Sequence, residues 1–147
     1  MKIGELSAAT GVSTASIRFY EAEGLLPAPS RTQGNYRDYT PEHAERLHFI
    51  RRCRSLDMEQ GEIRALLAFR DAPSGDCGGV NGILDAHLGH VRQRVRELRA
   101  LETQLRTLRE QCGGIDSTER CGILQELHGT GASAARPGGR HVRGVHR

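Results

Sequence analysis

One pattern, between Cys77 and Cys121, restricts the fold of this chain more than any other. Apolar residues recur at Leu84, Leu88, Val91, Val95, Leu98, Leu101, Leu105 and Leu108, in steps of three or four with no proline between them. This spacing predicts one helix of about thirty residues with a single apolar stripe. Such a helix is not stable alone and needs a partner along its length. Cys77 precedes the helix, Cys112 falls in its last turn, and Cys121 follows an eight-residue loop rich in Gly, Asp and Ser. At the rise of an α-helix, Cys77 and Cys112 of one chain lie roughly 50 Å apart, too far to share a ligand sphere. An antiparallel second copy brings Cys77 of one chain beside Cys112 and Cys121 of the other, whereas a parallel copy leaves Cys77 without Cys112. The expectation is a homodimeric coiled coil with a three-thiolate site at each end.

The totals agree with a small domain joined to an oligomerisation element. With three Phe, three Tyr and no Trp in 147 residues, the core is thin, so part of the buried surface is expected between chains. No run of eighteen apolar residues occurs and none follows Met1, which predicts a cytoplasmic protein with no membrane contact. In a reducing compartment, four cysteines serve as thiols for metal or redox work rather than as a disulfide frame. Lys2 is the single lysine among 21 basic residues, a bias that suits phosphate and carboxylate recognition and also follows from a GC-rich genome. Residues 1–75 carry ten basic and ten acidic side chains. Net charge therefore does not announce nucleic-acid binding, and the residue pattern has to.

Residues 3–10 predict a short helix, Gly11 a tight turn, and Ser13 an N-cap for a second helix from Thr14 to about Glu23. This is the layout of a helix-turn-helix, whose second helix enters the major groove by its N-terminal end, here bearing Thr14, Ser16 and Arg18. Pro27 and Pro29 enforce an extended segment, and residues 31–39 predict a hairpin turning at Gly34 and Asn35. Arg31, Tyr36 and Arg37 on this wing are donors suited to phosphate oxygens. Thr40 and Pro41 start a third helix reaching about Arg54, with Ala44, Leu47, Phe49, Ile50 and Cys53 for the core and Arg51, Arg52 and Arg54 on a solvated face. Ile63, Leu66, Leu67 and Phe69 mark a fourth helix. Its opening, Glu59-Gln60-Gly61-Glu62, lacks a Ser or Thr cap, and Gly61 costs about 1 kcal/mol against Ala. After the break at 71–75 comes the cysteine segment, then a short helix around Ile123, Leu124 and Leu127. From Gly129 the composition is too poor in apolar residues to fold. The expected organisation is 1–75 for DNA binding and connecting helices, 76–128 for dimerisation and metal, and 129–147 as a His- and Arg-bearing tail.

The segment IGELSAATGVSTASIRFYEAEGLL, followed by GNYRDYT, resembles the MerR family of transcriptional regulators. The arrangement of Cys77, Cys112 and Cys121 about the long helix is similar to that of the family's cadmium- and lead-responsive branch. The resemblance spans roughly residues 1–128. It implies a mainly α fold: a winged helix-turn-helix, a connecting helical pair and a long antiparallel coiled-coil dimerisation helix. It also implies a homodimer on a palindrome in double-stranded promoter DNA, within a spacer too long for RNA polymerase to engage both promoter elements. Metal binding then biases a two-state dimer that bends and untwists the operator into alignment. On matching positions it assigns Thr14, Ser16 and Arg18 to the recognition helix, and Tyr20, Arg31, Tyr36 and Arg37 to the DNA backbone.

Three thiolates, Cys77, Cys112 and Cys121, suit Cd(II), Pb(II) or Hg(II), and Zn(II) if a fourth ligand completes a tetrahedron. Residue 113 is Gly, so the adjacent cysteine pair of a two-zinc cluster is absent. A Cys112–Cys121 disulfide is the rival, opposed by the compartment. Cys53, between Arg52 and Arg54, reads as a core thiol. His87 and His90 share a helix face at metal-ligand spacing, and His141 and His146 of the tail are candidates to complete an auxiliary site with them. The tail arginines alternatively touch DNA without sequence preference. A catalytic zinc site is disfavoured because the His-containing ligand set with an adjacent Glu is missing. An iron–sulfur redox sensor would need four clustered cysteines, and a metal buffer would leave the N-terminal DNA reader without a role. A zinc-, mercury- or thiol-responsive regulator of the same fold is the alternative.

Overall fold

The computed structural model describes residues 1–114 and 118–129. Among these it has six α-helices and one two-stranded sheet: α1 (Ile3–Thr10), α2 (Thr14–Ala22), β1 (Ser30–Arg31), β2 (Arg37–Asp38), α3 (Pro41–Ser55), α4 (Gln60–Asp71), α5 (Gly78–Glu110) and α6 (Gly122–His128). No helix among the described residues is long and apolar enough to cross a membrane. The chain divides into two compact units, residues 1–91 and 92–147.

In the first unit α1 and α2 form the helix-turn-helix. Gly11 adopts φ +70 and its N–H bonds the Ser7 carbonyl, ending α1 in the left-handed conformation that glycine reaches without steric cost. The Ser13 hydroxyl accepts from the Ser16 N–H at 3.1 Å, capping α2 as its sequence predicts. β1 and β2 pair antiparallel, Ser30 with Asp38 and Arg31 with Arg37. Within their turn, Asn35 takes φ +63, while the Thr32 N–H bonds the Tyr36 carbonyl at 2.8 Å. Leu6, Val12, Ile17, Leu26, Tyr39 and Leu47 bury one cluster beneath the helix-turn-helix and wing.

Helix α3 begins at Pro41, as the sequence predicts. The Thr40 N–H donates to His43 Nδ1 at 3.1 Å, so the ring proton sits on Nε2, 3.0 Å from the Pro27 carbonyl. A second cluster joins α3 to α4 through Leu25, Ile50, Cys53, Met58, Ile63, Leu66 and Leu67, with Val80 and Ile83 of α5 packed against it. Cys53 is therefore the core thiol expected, and burial pushes its pKa up. The arginines of α3 correct the expectation of a merely solvated face. Arg51 donates to the Thr10 carbonyl at 2.9 Å, across the end of α1, and Arg54 to the Met58 carbonyl at 3.2 Å.

The opening of α4 also differs from its sequence reading. The Glu62 carboxylate reaches back to the Glu59 N–H at 3.0 Å, half of a capping box without a hydroxyl residue. Arg64 fastens the same turn to the end of α2 by donating to the Glu23 carbonyl at 2.8 Å. At the far end of α4, Asp71 pairs with Arg46 at 2.6 Å, and Arg46 also donates to the Leu25 carbonyl.

Helix α5 is 33 residues long. Its first bond runs from the Asn81 N–H to the Cys77 carbonyl at 2.8 Å. It ends at Glu110, so Cys112 stands two residues beyond the helix rather than in its last turn. The stripe predicted to need a partner is largely uncovered in the single chain: Leu84, Leu88, Val91, Val95, Leu101 and Leu105 are all among the exposed large hydrophobic residues.

Candidate functional site

At the start of α2 the Ser16 N–H is bonded to Ser13 Oγ at 3.1 Å, and the helix dipole favours phosphate at that end. Arg18 is exposed on this helix, and Thr14 and Ser16 are half-buried at its first turn. Arg31 and Tyr36 are exposed on the wing, Tyr36 at 68%. Arg31 donates to the Asn35 carbonyl at 3.0 Å and so stiffens the turn. Arg37 lies 3.4 Å from Glu21 of α2, and Tyr39 donates its hydroxyl to the same carboxylate. That hydrogen bond helps burial hold the Tyr39 pKa above its ordinary value. Tyr20 is half-buried between the two apolar clusters, in edge contact with Phe19. Sequence reasoning missed Lys2, whose Nζ lies 5.9 Å from the Tyr36 ring centroid and adds a cation beside the wing.

All four cysteines are free thiols. Cys77 is exposed at the start of α5, and the neighbouring Gly78 N–H donates to Asp76 at 2.8 Å. Cys112 is half-buried; its Sγ donates to the Gly114 carbonyl at 3.3 Å, and Arg109 donates to the Cys112 carbonyl at 3.1 Å. Cys121, also half-buried, provides the carbonyl that opens α6 by accepting from the Gln125 N–H at 3.1 Å. Cys77 and Cys112 thus flank opposite ends of one helix, and Cys121 returns toward the second of these ends. Thiolates are soft donors, so these residues would suit a soft cation once brought together and deprotonated.

A second constellation lies where α4 meets α5. Donor atoms of Glu62, His87 and His90 all fall within 4.8 Å of one another. His87 is buried, with Nε2 2.7 Å from the Leu56 carbonyl, so Nε2 carries the ring proton. Nδ1 faces Glu62 Oε2, 3.0 Å away, a contact that is an ion pair when the imidazole is protonated. Neither atom has a hydrogen-bond partner in suitable geometry. Two facing acceptors repel unless a proton or a cation comes between them. Sequence spacing found His87 and His90. It could not find Glu62, which sits on another helix with no local signature. His141 and His146 lie outside the described residues.

A capped helix-turn-helix and a two-stranded wing, followed by a long helix flanked by cysteines, have the layout of a DNA-binding regulator. Residues 1–69 match the family model described as MerR HTH family regulatory protein, and residues 44–108 match that described as MerR, DNA binding. The chain is 44% identical over 125 residues to a ZntR homolog of Haemophilus influenzae, covering 85% of this chain and 93% of the relative. It is similar to the lead(II) complex of the regulator PbrR691 from Ralstonia metallidurans, with TM-score 0.77 and 50% identity over 86% of this chain and 98% of the other. It is also similar to the mercury(II) complex of MerR from Bacillus megaterium, with TM-score 0.69 and 28% identity over 86% and 98%. The chain belongs to the MerR family: it is a metal-responsive transcriptional regulator that binds promoter DNA, and not an enzyme.

Proposed function

We propose that this regulator activates transcription on binding Cd(II) or Pb(II) through Cys77, Cys112 and Cys121, as an antiparallel homodimer seated on a promoter palindrome. The observation that carries the reading is the exposed apolar stripe of α5 with thiols flanking both ends. A second copy covers the stripe and, only when antiparallel, supplies Cys77 to the other chain's Cys112 and Cys121. Three sulfur donors favour soft cations over hard ones, and the half-identical relative solved in complex with lead(II) supports the Pb(II) side. The ZntR homolog keeps Zn(II) as the alternative effector, with Hg(II) a further one.

Metal acts here through a difference in affinity between two dimer states. Turning a one-to-ninety-nine equilibrium over needs about 5.5 kcal/mol of differential binding. Bending a site of this kind costs of order 1–6 kcal/mol, so the two scales match. Thr14, Ser16 and Arg18 enter the groove, while Tyr20, Arg31, Tyr36 and Arg37 hold the backbone on either side. The distorted operator then aligns its two elements for RNA polymerase. Glu62, His87 and His90, with His141 and His146 as further donors, form an auxiliary and weaker metal site that clamps α4 to α5.

The test is a metal titration of the reduced protein, read by ultraviolet thiolate-to-metal absorption, in wild type and Cys77→Ser. Tight binding of one Cd(II) or Pb(II) per chain, weakened by Cys77→Ser, supports the reading. Weak binding, or binding indifferent to Cys77, removes it.

A further inference from the structure

The loop carrying Cys112 and Cys121 is closed by a contact in which a glycine meets backbone. A Cβ placed on Gly122 would stand 2.4 Å from the Gln111 carbonyl oxygen and 3.2 Å from both the carbonyl carbon and Cβ of Gln111. Gln111 immediately precedes Cys112, and Gly122 immediately follows Cys121. The contact therefore joins the backbones of the two cysteine-bearing segments one residue away from each cysteine. Gly122 is not among the glycines of positive φ. Clearance, and not backbone conformation, is what requires glycine there.

The opposing atom is a carbonyl oxygen fixed by the last turn of α5, where the Gln111 N–H bonds the Leu108 carbonyl at 3.1 Å and the Cys112 N–H the Arg109 carbonyl at 3.3 Å. It cannot rotate aside as a side chain would. Restoring an ordinary separation of about 3.5 Å means moving the start of α6 by about 1 Å. Metal–ligand distances tolerate about 0.2 Å.

We infer that Gly122 is a positioning residue for the thiolate site: by letting α6 start against Gln111, it sets the spacing of Cys112 and Cys121 before metal arrives. A chelating pair whose separation is restricted beforehand loses less freedom on binding, so the contact acts on affinity through preorganisation. This rests on the three-thiolate reading above. At Gly113, in the same loop, an added Cβ would meet nothing within 4 Å, which makes it an internal control for loop stiffening.

The experiment is a Cd(II) competition titration of the full-length reduced protein against a chromophoric chelator. Wild type is compared with Gly122→Ala, Gly113→Ala and Cys121→Ser, and metal-free operator binding is measured for each as a control of fold. Gly122→Ala is expected to weaken Cd(II) binding by about tenfold or more and to reduce the thiolate-to-metal absorption. Gly113→Ala should stay within about twofold of wild type, the range of ordinary surface substitutions. Ala is the better helix former, so propensity acting on α6 alone predicts the opposite sign for Gly122→Ala. Wild-type affinity in Gly122→Ala, or an equal loss in both glycine variants, overturns the inference. If Cys121→Ser also binds Cd(II) like wild type, the three-thiolate reading fails instead, whatever the glycine variants do.

Discussion

Truncating the apolar stripe should weaken the dimer by an amount that the structure sets. Leu105 keeps 57% of its surface exposed in the single chain. Burying a whole leucine side chain contributes about 1.5–3 kcal/mol, so covering this share contributes about 1 kcal/mol per chain. A two-fold dimer uses the residue twice, giving about 2 kcal/mol, or roughly thirtyfold in the dimer dissociation constant. Leu105→Ala should therefore raise that constant by roughly thirtyfold, and incomplete collapse of the cavity would add to the effect. Sedimentation equilibrium over a dilution series measures it directly. The melting of the 1–91 unit should be unchanged at concentrations where both proteins are dimeric, because Leu105 lies outside that unit. An unchanged dissociation constant would refute the assignment of this stripe to a second copy.

Three further outcomes follow from the same structure. Cys53 is 6% exposed with its thiol pKa raised by burial, so under native conditions near pH 8 iodoacetamide should alkylate Cys77, Cys112 and Cys121 while mass spectrometry finds Cys53 unmodified. The hydrogen bond from Arg46 holds the Asp71 carboxyl below its ordinary pKa; its stabilisation is present above the unfolded carboxyl pKa and is lost as pH falls through the lower folded value. Arg46→Ala should return the Asp71 titration, followed by NMR, toward about 3.9. His90 is exposed, so His90→Ala should abolish a second, weaker Cd(II) equivalent in calorimetry while leaving the first and the fold intact.

The parts of the fold legible in the sequence are those whose signals are local. Ser13 ahead of α2, Thr40 and Pro41 ahead of α3, and the three-and-four periodicity of α5 each act within a turn or along one helix. The structure follows them nearly to the residue. What escaped reading depends on residues distant in sequence. Arg51 looks like surface charge until the fold places it on the Thr10 carbonyl. Glu62 looks like a poor helix start until it is seen to cap the Glu59 N–H, and nothing in its neighbourhood announces His87, which arrives from another helix. Gly122 is one of 18 glycines, and only the return of the chain onto Gln111 gives it a role. Cys77, Cys112 and Cys121 could be placed near the ends of elements because cysteines are few. The spacing within that set belongs to tertiary structure.

In the proposed dimer each metal site draws Cys77 from one chain and Cys112 with Cys121 from the other. Mixing two defective proteins tests this most directly. Cys77→Ser alone lacks one side of every site, and the Cys112→Ser, Cys121→Ser double variant lacks the other. After subunit exchange, a mixed dimer should carry one complete site, and tight Cd(II) binding with thiolate-to-metal absorption should reappear although neither parent shows it. If the mixture binds no better than its parents while exchange is verified, the site is not shared between chains and the account is contradicted.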